Sequence, residues 1–347
     1  MASLNIEQFG DLVELTLNEY IKTDYVALLT DLTDHPAAKA LLNKARFAIK
    51  SGIQLEFKLD MGAESSYEHI TATTPDSAEL TDSFVSASVP WRKVKTSYAY
   101  LEEEMDFNMS PNQLVDVVKA RERRCDADWI EGIESDWWTF HSVSDTNAFR
   151  SLPYWIHKNA STGFNGGIPS GYSDVAGLSP TTYPRWNNYT AQYTTFSLDD
   201  AVNKIRTMGM KTGFKPIISN LPKLGMNSRR AFYTNLTVHQ TAADLADARN
   251  DSMGTDLAKH DGQVTIHRIP LEYVPKLDDD TTDPIYQIDW NSIKMMAKTD
   301  WFQRRTVQKP HPGQRNMVSV HKDSYLNFVC FNRRINGVVA TGTSYPS

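Results

Sequence analysis

The sequence predicts an α+β chain with segregated helices and strands. Three stretches carry that prediction. Residues 53–61, IQLEFKLDM, alternate apolar and polar residues without a break, the pattern of a half-buried strand. Residues 110–140, SPNQLVDVVKARERRCDADWIEGIESDWWTF, repeat apolar residues at helical spacing over roughly eight turns. The end of the chain, from IYQIDW through YLNFVCFNRRINGVVAT, is strand-rich. The regular strand–helix alternation of a doubly wound sheet does not occur.

The 347 residues are enough for two domains, or for one with large insertions. An apolar fraction of 40%, with eight Trp and fifteen Tyr, argues against general disorder. No apolar run reaches about eighteen residues, so no membrane span is predicted. The start, MASLNIEQFGDLVEL, lacks the basic-then-apolar shape of a signal peptide. Cys125 and Cys330 lie far apart inside apolar patterns and read as buried free thiols in a reducing cytoplasm. The Asn-X-Ser/Thr matches at Asn159, Asn188 and Asn235 then carry no glycosylation meaning. A net charge of −6 argues against a protein whose main task is gripping nucleic acid, but not against a container that surrounds it.

Residues 4–49 read as short helical pieces: Leu4, Phe9, Leu12, Val13 and Leu17 share a face, and Pro36 and Ala37 open a second segment. These pieces suit an arm better than an independent core. In the strand 53–61, Ile53, Leu55, Phe57, Leu59 and Met61 lie on one face. Its return partner is Phe84 to Tyr100, with Val85, Ala87, Val89 and Trp91 on the matching face and Pro90 marking an edge. About twenty residues rich in Ser, Thr, Glu and Ala join the two. A two-stranded ribbon is marginal alone, so its apolar face needs a surface to cover, such as another copy of the chain. Ile53, Leu55, Phe57, Leu59, Met61, Val89 and Trp91 are therefore the candidate intersubunit contacts.

The long helix opens with Ser110 as cap, Pro111 at the first position and Gln113 completing a capping box. Its stripe runs Leu114, Val118, Cys125, Trp129, Ile133, Trp137 and Phe140, with Asp116, Lys119, Arg123, Asp126 and Glu134 on the other faces. Gly132 costs it about 1 kcal/mol relative to Ala. His141 to Tyr193, rich in Gly, Ser, Asn, Tyr and Pro, reads as turns and irregular structure. Ser197 caps a helix with Asp200 at the third position, Ala201, Ile205 and Met208 inward, and Gly213 at its end. Lys215–Asn220 reads as a short buried strand, and 226–254 as helix with Phe232, Leu236, Ala243 and Leu245 inward. Val264–Val274 reads as one alternating strand, Asp278–Asp280 as an acidic turn, and Asn336-Gly337 as a closing turn.

Motifs for catalysis are missing. Gly163, Gly166, Gly167 and Gly171 have no strand before them and no Lys-Ser/Thr and helix after them, so they read as turns and not as a phosphate loop. His141, Ser142, Ser144 and Asp145 crowd together, but sequence adjacency is not a triad. No HxxxH, HExxH or CxxC occurs, and His267 reads as a structural residue. The acidic turn lacks the Gly and Glu of a calcium loop and reads as solvated. Glu102–Glu104 and Arg121–Arg124 read as charged surface, the second also as an intersubunit salt-bridge patch. Trp91 and the Trp137-Trp138 pair read as packing residues. No cofactor or metal is expected.

The order of helical arm, ribbon, long helix, mixed middle and closing strands resembles the major capsid proteins of tailed bacteriophages, with the Hong Kong 97-like fold. Gly166-Gly167, Trp186-Asn187-Asn188 before the Ser197 helix, and the ending FNRRINGV (Phe331 to Val338) are similar to stretches of one subgroup. The resemblance implies an N-terminal arm (1–50), an extended loop or β-ribbon (51–104), and a peripheral domain (105–194) with its spine helix at 110–140. It further implies an axial domain (195–290) and a C-terminal return to the peripheral domain (291–347). It implies no enzyme, but self-assembly into hexamers and pentamers of an icosahedral shell around phage double-stranded DNA, touched non-specifically. Scaffolding, portal and decoration proteins are the implied further partners. The implied locations are the virion and, before assembly, the host cytoplasm. An encapsulin-like compartment is the alternative, and a hydrolase acting through His141 and Asp145 a third reading. Some relatives join subunits by a Lys–Asn isopeptide bond, but nothing marks Lys58, Lys93, Lys95, Asn327 or Asn332 as such a pair. A long scaffolding segment is not seen before the arm, which implies either a separate scaffolding protein or a chain already cleaved, and Met1 speaks against cleavage.

Overall fold

The structure is a computed structural model that describes residues 35–43, 47–61, 84–101, 111–213, 230–251, 264–266, 269–306, 309–310 and 317–346. The helical pieces expected within 1–34, the ribbon connection 62–83, Glu102–Glu104, Ser110, Lys215–Asn220 and His267 lie outside the described residues. So do the side chains of Leu114 and Val118. The chain divides into two compact units, one drawn from Met1–Ser51, Arg92–Trp137 and Met295–Leu326, the other from Gly52–Trp91, Trp138–Lys294 and Asn327–Ser347.

The first unit is a helix against a sheet. The helix runs Pro111–Trp138, 28 residues and about 42 Å of rod. Its stripe is buried as the spacing predicts, at Cys125, Trp129, Ile133 and Trp137. In the sheet, Arg92–Leu101 runs antiparallel to Met317–Cys330, so Tyr98 faces Val320 and Tyr100 faces Val318. These four side chains and Cys125 form one apolar cluster. Phe47–Lys50 adds a parallel strand beside Ile293–Lys298. The sheet's inner polar groups meet the helix in ion pairs. Lys322 Nζ lies 3.0 Å from Glu122 and 2.6 Å from Asp126, and Arg305 also pairs with Glu122. Arg121 Nη1 donates to the Ala99 carbonyl at 3.0 Å.

Two expectations change in this unit. Phe84 to Tyr100 is not one return strand. Pro90 ends the ribbon strand, and Arg92 begins a strand that pairs with the C-terminal segment instead. Glu134, expected off the apolar stripe, is fully buried. Its carboxylate accepts the amide of Ala38 at 2.6 Å and of Ala37 at 3.3 Å. Those are free amides of the short helix Pro36–Leu41, whose cap residue His35 makes no side-chain capping bond.

The second unit is built on a seven-stranded mixed sheet. Its order is Gly163–Gly166, Asn188–Gln192, Gly337–Ala340, Ile285–Asp289, Arg230–Thr234, Ile269–Tyr273 and Thr265–Ile266. One face carries the core: Ile205 and Met208 of the helix Asn203–Lys211, with Val238 and Ala242 of the helix Leu236–Asp251, lie on Tyr189, Phe232, Leu271, Ile285 and Val339. The other face carries aromatics. Tyr233 meets Trp138 at 5.3 Å and Trp290 at 5.9 Å between centroids, and Trp290 Nε1 donates to the Tyr233 hydroxyl at 2.8 Å.

The Ser197 cap forms as expected, with the Asp200 amide donating to its Oγ at 3.2 Å. The first turn, Leu198–Val202, is π-type, and Gly213 leaves the helix with φ 69°. Other expectations shift. Arg230–Thr234 is a strand, and the helix begins only after Asn235, whose Oδ1 accepts the Val238 amide at 3.1 Å. Leu236 consequently stands exposed while Val238 and Ala242 turn inward. Val264–Val274 is not one continuous strand: Thr265–Ile266 and Ile269–Tyr273 pair antiparallel, with Ile266 opposite Ile269. The segment 141–193, expected to be irregular, contributes Gly163–Gly166 and Asn188–Gln192 to the sheet.

Candidate functional site

The ribbon is the element whose residues the sequence nominates for contact between copies. Gln54–Asp60 and Phe84–Pro90 pair antiparallel in the register that alternation predicts, with Leu55 opposite Val89, Phe57 opposite Ala87 and Leu59 opposite Val85. The base of the apolar face is covered by its own chain. Leu55 is 2% exposed, and Phe57, Ala87 and Val89 are also buried. Phe57 packs edge-on against Phe331 at 5.2 Å. Polar ties fix the same base: the Ser88 amide donates to the Ala176 carbonyl at 2.9 Å, Asn327 Nδ2 to Pro90 at 2.8 Å and Trp91 Nε1 to Gly52 at 3.1 Å.

This differs from the expectation that a single copy leaves that face bare. Leu59, Met61 and Trp91 are half-buried, while Ile53 is 98% exposed and Phe84 64% exposed. Cover is thus complete at the Leu55–Val89 and Phe57–Ala87 pairs and falls away toward Phe84. Glu56, Lys58 and Asp60 point outward.

Three stretches that the sequence singles out separately meet at one side chain. Arg333, fully buried, donates Nε to the Trp155 carbonyl at 2.6 Å and Nη1 to the Trp186 carbonyl at 2.9 Å. Its Nη2 reaches the carbonyls of Gly166 and Gly167, both at 3.1 Å, and Asn188 Oδ1 at 3.3 Å. Every acceptor is neutral, and burial holds the guanidinium down at about 10, which still leaves it charged at pH 7. Gly166 is required here, because a Cβ would collide with the Asn188 side chain. The glycine cluster is therefore part of a carbonyl cradle for an arginine, not a phosphate loop. Nothing in the composition of FNRRINGV told Arg333 from Arg334.

A second polar cluster holds the C-terminal segment. Lys158 Nζ pairs with Asp280 at 2.5 Å and donates to Thr282 Oγ1 at 2.7 Å and to the Ser344 carbonyl at 3.0 Å. Its backbone amide donates to the Tyr345 hydroxyl oxygen at 2.7 Å, and that hydroxyl lies 3.1 Å from His157 Nδ1. Burial lowers Lys158, opposed by Asp280. Burial first, then Arg333 and Lys158, lowers His157 to about 4, so it is neutral at pH 7 and Nδ1 can accept the hydroxyl proton. Asp280, expected in a solvated turn, is buried and paired. Asp278 meanwhile accepts the Leu236 amide at 2.8 Å and the Tyr273 hydroxyl at 2.6 Å.

The group His141, Ser142, Ser144 and Asp145 is a local turn. The Asp145 amide donates to the Ser142 carbonyl at 3.1 Å, and the Asp145 carboxylate accepts the Asn147 amide at 3.3 Å. Cys125 and Cys330 are free and buried, and burial pushes the Cys330 thiol up to about 11. Lys93 pairs with Asp323 at 3.1 Å, and Asn327 Oδ1 accepts the Arg150 amide at 3.0 Å. No helix among the described residues is long and apolar enough to cross a membrane.

No protein-family model and no curated protein matches the chain. Solved structures do match. The chain is similar to the capsid asymmetric unit of cyanophage A-1(L), with a TM-score of 0.58 and 15% identity over 95% of this chain and 99% of that one. It is similar to the capsid of the native GTA particle, with a TM-score of 0.57 and 9% identity over 92% and 95%. A third similarity is to the holo-SrpI encapsulin complex of Synechococcus elongatus PCC 7942, with a TM-score of 0.50 and 9% identity over 100% and 99%. In its described residues this chain has the fold of the tailed-phage major capsid proteins.

Proposed function

We propose that this chain is the major shell subunit of a tailed-phage head, assembling with itself into hexamers and pentamers that close an icosahedral capsid around double-stranded DNA. The observation that carries the reading is the end-to-end match to a cyanophage capsid subunit, 95% of this chain on 99% of that one. The outward-pointing Ile53 and Phe84 of the ribbon support it, since apolar side chains bared by one copy are natural contacts for the next. In this reading residues 1–50 are the arm, 51–104 the extended loop, 105–194 the peripheral domain, 195–290 the axial domain and 291–347 the return. Many weak contacts repeated over the lattice hold the shell. Scaffolding, portal and decoration proteins and non-specifically held DNA are its further partners, and the virion is its place of work.

A second reading, a cellular compartment enclosing a protein cargo, draws on the whole-length similarity to an encapsulin. No observation favours the hydrolase reading: the Asp145 carboxylate accepts the Asn147 amide within its own turn. Electron microscopy of the purified full chain tests both shell readings. Closed particles containing DNA when made in the native host support the head shell, and particles filled with one protein support the compartment. A chain that stays monomeric at high concentration overturns both.

A further inference from the structure

Residues 341–346 follow the strand Gly337–Ala340 and form no strand or helix of their own. They are held instead through one ring and a few polar contacts. Tyr345 stacks on Phe140 at 4.8 Å and on His157 at 5.5 Å between centroids, and Lys158 Nζ stands 4.3 Å from its ring centroid. Its hydroxyl oxygen accepts the Lys158 amide at 2.7 Å, and its proton goes to His157 Nδ1, 3.1 Å away. The Thr341 amide donates to the Thr282 carbonyl at 2.8 Å, and the Ser344 carbonyl accepts Lys158 Nζ at 3.0 Å. Thr343, Ser344 and Pro346 are exposed.

The walls of the slot are fixed without this occupant. The His157 amide donates to Asn188 Oδ1 at 3.1 Å, and its carbonyl accepts Asn188 Nδ2 at 3.0 Å. Lys158 keeps Asp280 and Thr282 when the Ser344 carbonyl leaves. Asp280 is bound besides by the Thr282 amide at 3.1 Å and the Thr282 hydroxyl at 2.7 Å. A segment resting on so few contacts opens at a lower free energy than the sheet beneath it.

His157 is where that opening can be controlled. The charged groups around it are Lys158 from its own segment and Arg333 from the turn before Gly337–Ala340, both cations. Asp280, the carboxylate of the cluster, is already engaged by Lys158 and Thr282. A proton on Nδ1 therefore removes the acceptor of the Tyr345 hydroxyl and adds a cation that no free carboxylate offsets. Departure of the Tyr345 ring lets water reach the imidazolium.

We propose that residues 341–346 are a releasable strap, whose Tyr345 leaves its slot when His157 takes up a proton while the seven-stranded sheet stays folded. The inference stands on the fold and is independent of the shell reading. Its sign follows from the two states. Strapped, His157 is held at about 4; released, it moves back toward its ordinary 6.5. The released state thus takes the proton first as pH falls, and the strap loosens between pH 6.5 and 4.

Hydrogen exchange of the full-length chain, corrected for the intrinsic effect of pH, tests this. The Lys158 amide, bonded to the Tyr345 hydroxyl, reads the strap. The Tyr189 amide, bonded to the Asn336 carbonyl, and the Val339 amide read the sheet. From pH 7 to pH 5 the Lys158 amide is expected to lose about tenfold in protection relative to the sheet amides. His157→Gln, which keeps an acceptor and takes no proton, should hold that protection at both pH values. Tyr345→Ala should lack it at both, with the sheet amides as protected as in the parent. A parent whose Lys158 protection does not fall relative to the sheet overturns the proposal. So does a pH dependence that survives in His157→Gln. If Tyr345→Ala unfolds, or strips Tyr189 and Val339 along with Lys158, Tyr345 is a core residue and the strap is not separable.

Discussion

Arg333 donates its Nη2 to the Gly166 carbonyl at 3.1 Å, 167 residues away along the chain. The same nitrogen reaches Gly167 and Asn188, so one cation ties the strand Gly163–Gly166, the strand Asn188–Gln192 and the turn before Gly337–Ala340. A buried charge with only neutral acceptors is tolerated here because each of its three nitrogens donates a hydrogen bond, and it is costly to disturb for the same reason. Arg333→Met leaves up to four carbonyls without their donor. At about 1–3 kcal/mol for each one that stays unpaired, it is expected to lower unfolding free energy by about 3 kcal/mol or more. Gly166→Ala, which drives a methyl into Asn188, is expected to lower it comparably. Urea denaturation checks both, and Arg334→Met, next door but partly exposed, is the control.

Glu134 is a helix cap supplied from 96 residues away, through its 2.6 Å bond from the Ala38 amide. Bonds from an amide to a carboxylate are about twice as strong as neutral ones, and this one also complements the helix's positive end. Glu134→Ala is expected to cost about 2–3 kcal/mol. The specific readout is hydrogen exchange. The Ala37 and Ala38 amides should lose protection first, with the sheet amides of Tyr98 and Val320 much less affected. Equal loss at all four sites would mean Glu134 supports the whole unit and not the cap.

His157 makes the fold acid-sensitive. Its folded-state value is about 4 against an ordinary 6.5, so the unfolded chain takes up a proton first as pH falls. Stability is therefore full above pH 6.5, declines between 6.5 and 4, and levels off below that, other groups aside. The full shift corresponds to on the order of 3 kcal/mol, reduced because the ring is partly exposed. His157→Gln, whose side-chain oxygen can accept the Tyr345 hydroxyl, is expected to flatten that part of the stability-against-pH curve. An unchanged slope would place the acid sensitivity elsewhere.

Much of this fold is legible from periodicity. The alternation of 53–61 identifies the ribbon strand and the face of Leu55 and Phe57, and the long stripe gives Cys125, Trp129, Ile133 and Trp137 correctly. What periodicity does not say is which group covers a face. Leu55 and Phe57 look bare in sequence because the covering residue, Phe331, is remote. Glu134 lies beside Ile133 and one turn before Trp138, at the rim of a wide stripe. Only a partner on a distant helix could make a buried carboxylate acceptable there. Arg230–Thr234 is buried on both faces, so it shows no alternation and merges with the helix that follows. In 264–274 the apolar pattern continues from one strand into its antiparallel neighbour, so two strands read as one. Arg333 is invisible for a further reason: its acceptors are backbone carbonyls, which carry no residue signature.

The ribbon offers a test that separates folding from assembly. Because Leu55 and Phe57 are buried within their own chain, Leu55→Asp with Phe57→Asp places two charges in an apolar base and is expected to unfold the second unit, not merely to release monomers. Ile53 and Phe84 are bared by the single copy, so Ile53→Asp and Phe84→Asp should change stability by no more than about 0.5 kcal/mol. Any assembly they abolish must then be lost at the contact itself. Deleting residues 62–83 should behave as these do, with melting unchanged and sedimentation shifted to single subunits or isolated capsomers. If instead Ile53→Asp and Phe84→Asp form closed shells at the parent concentration, the ribbon's exposed end is not a contact between copies. The lattice would then have to be held by other surfaces of the chain.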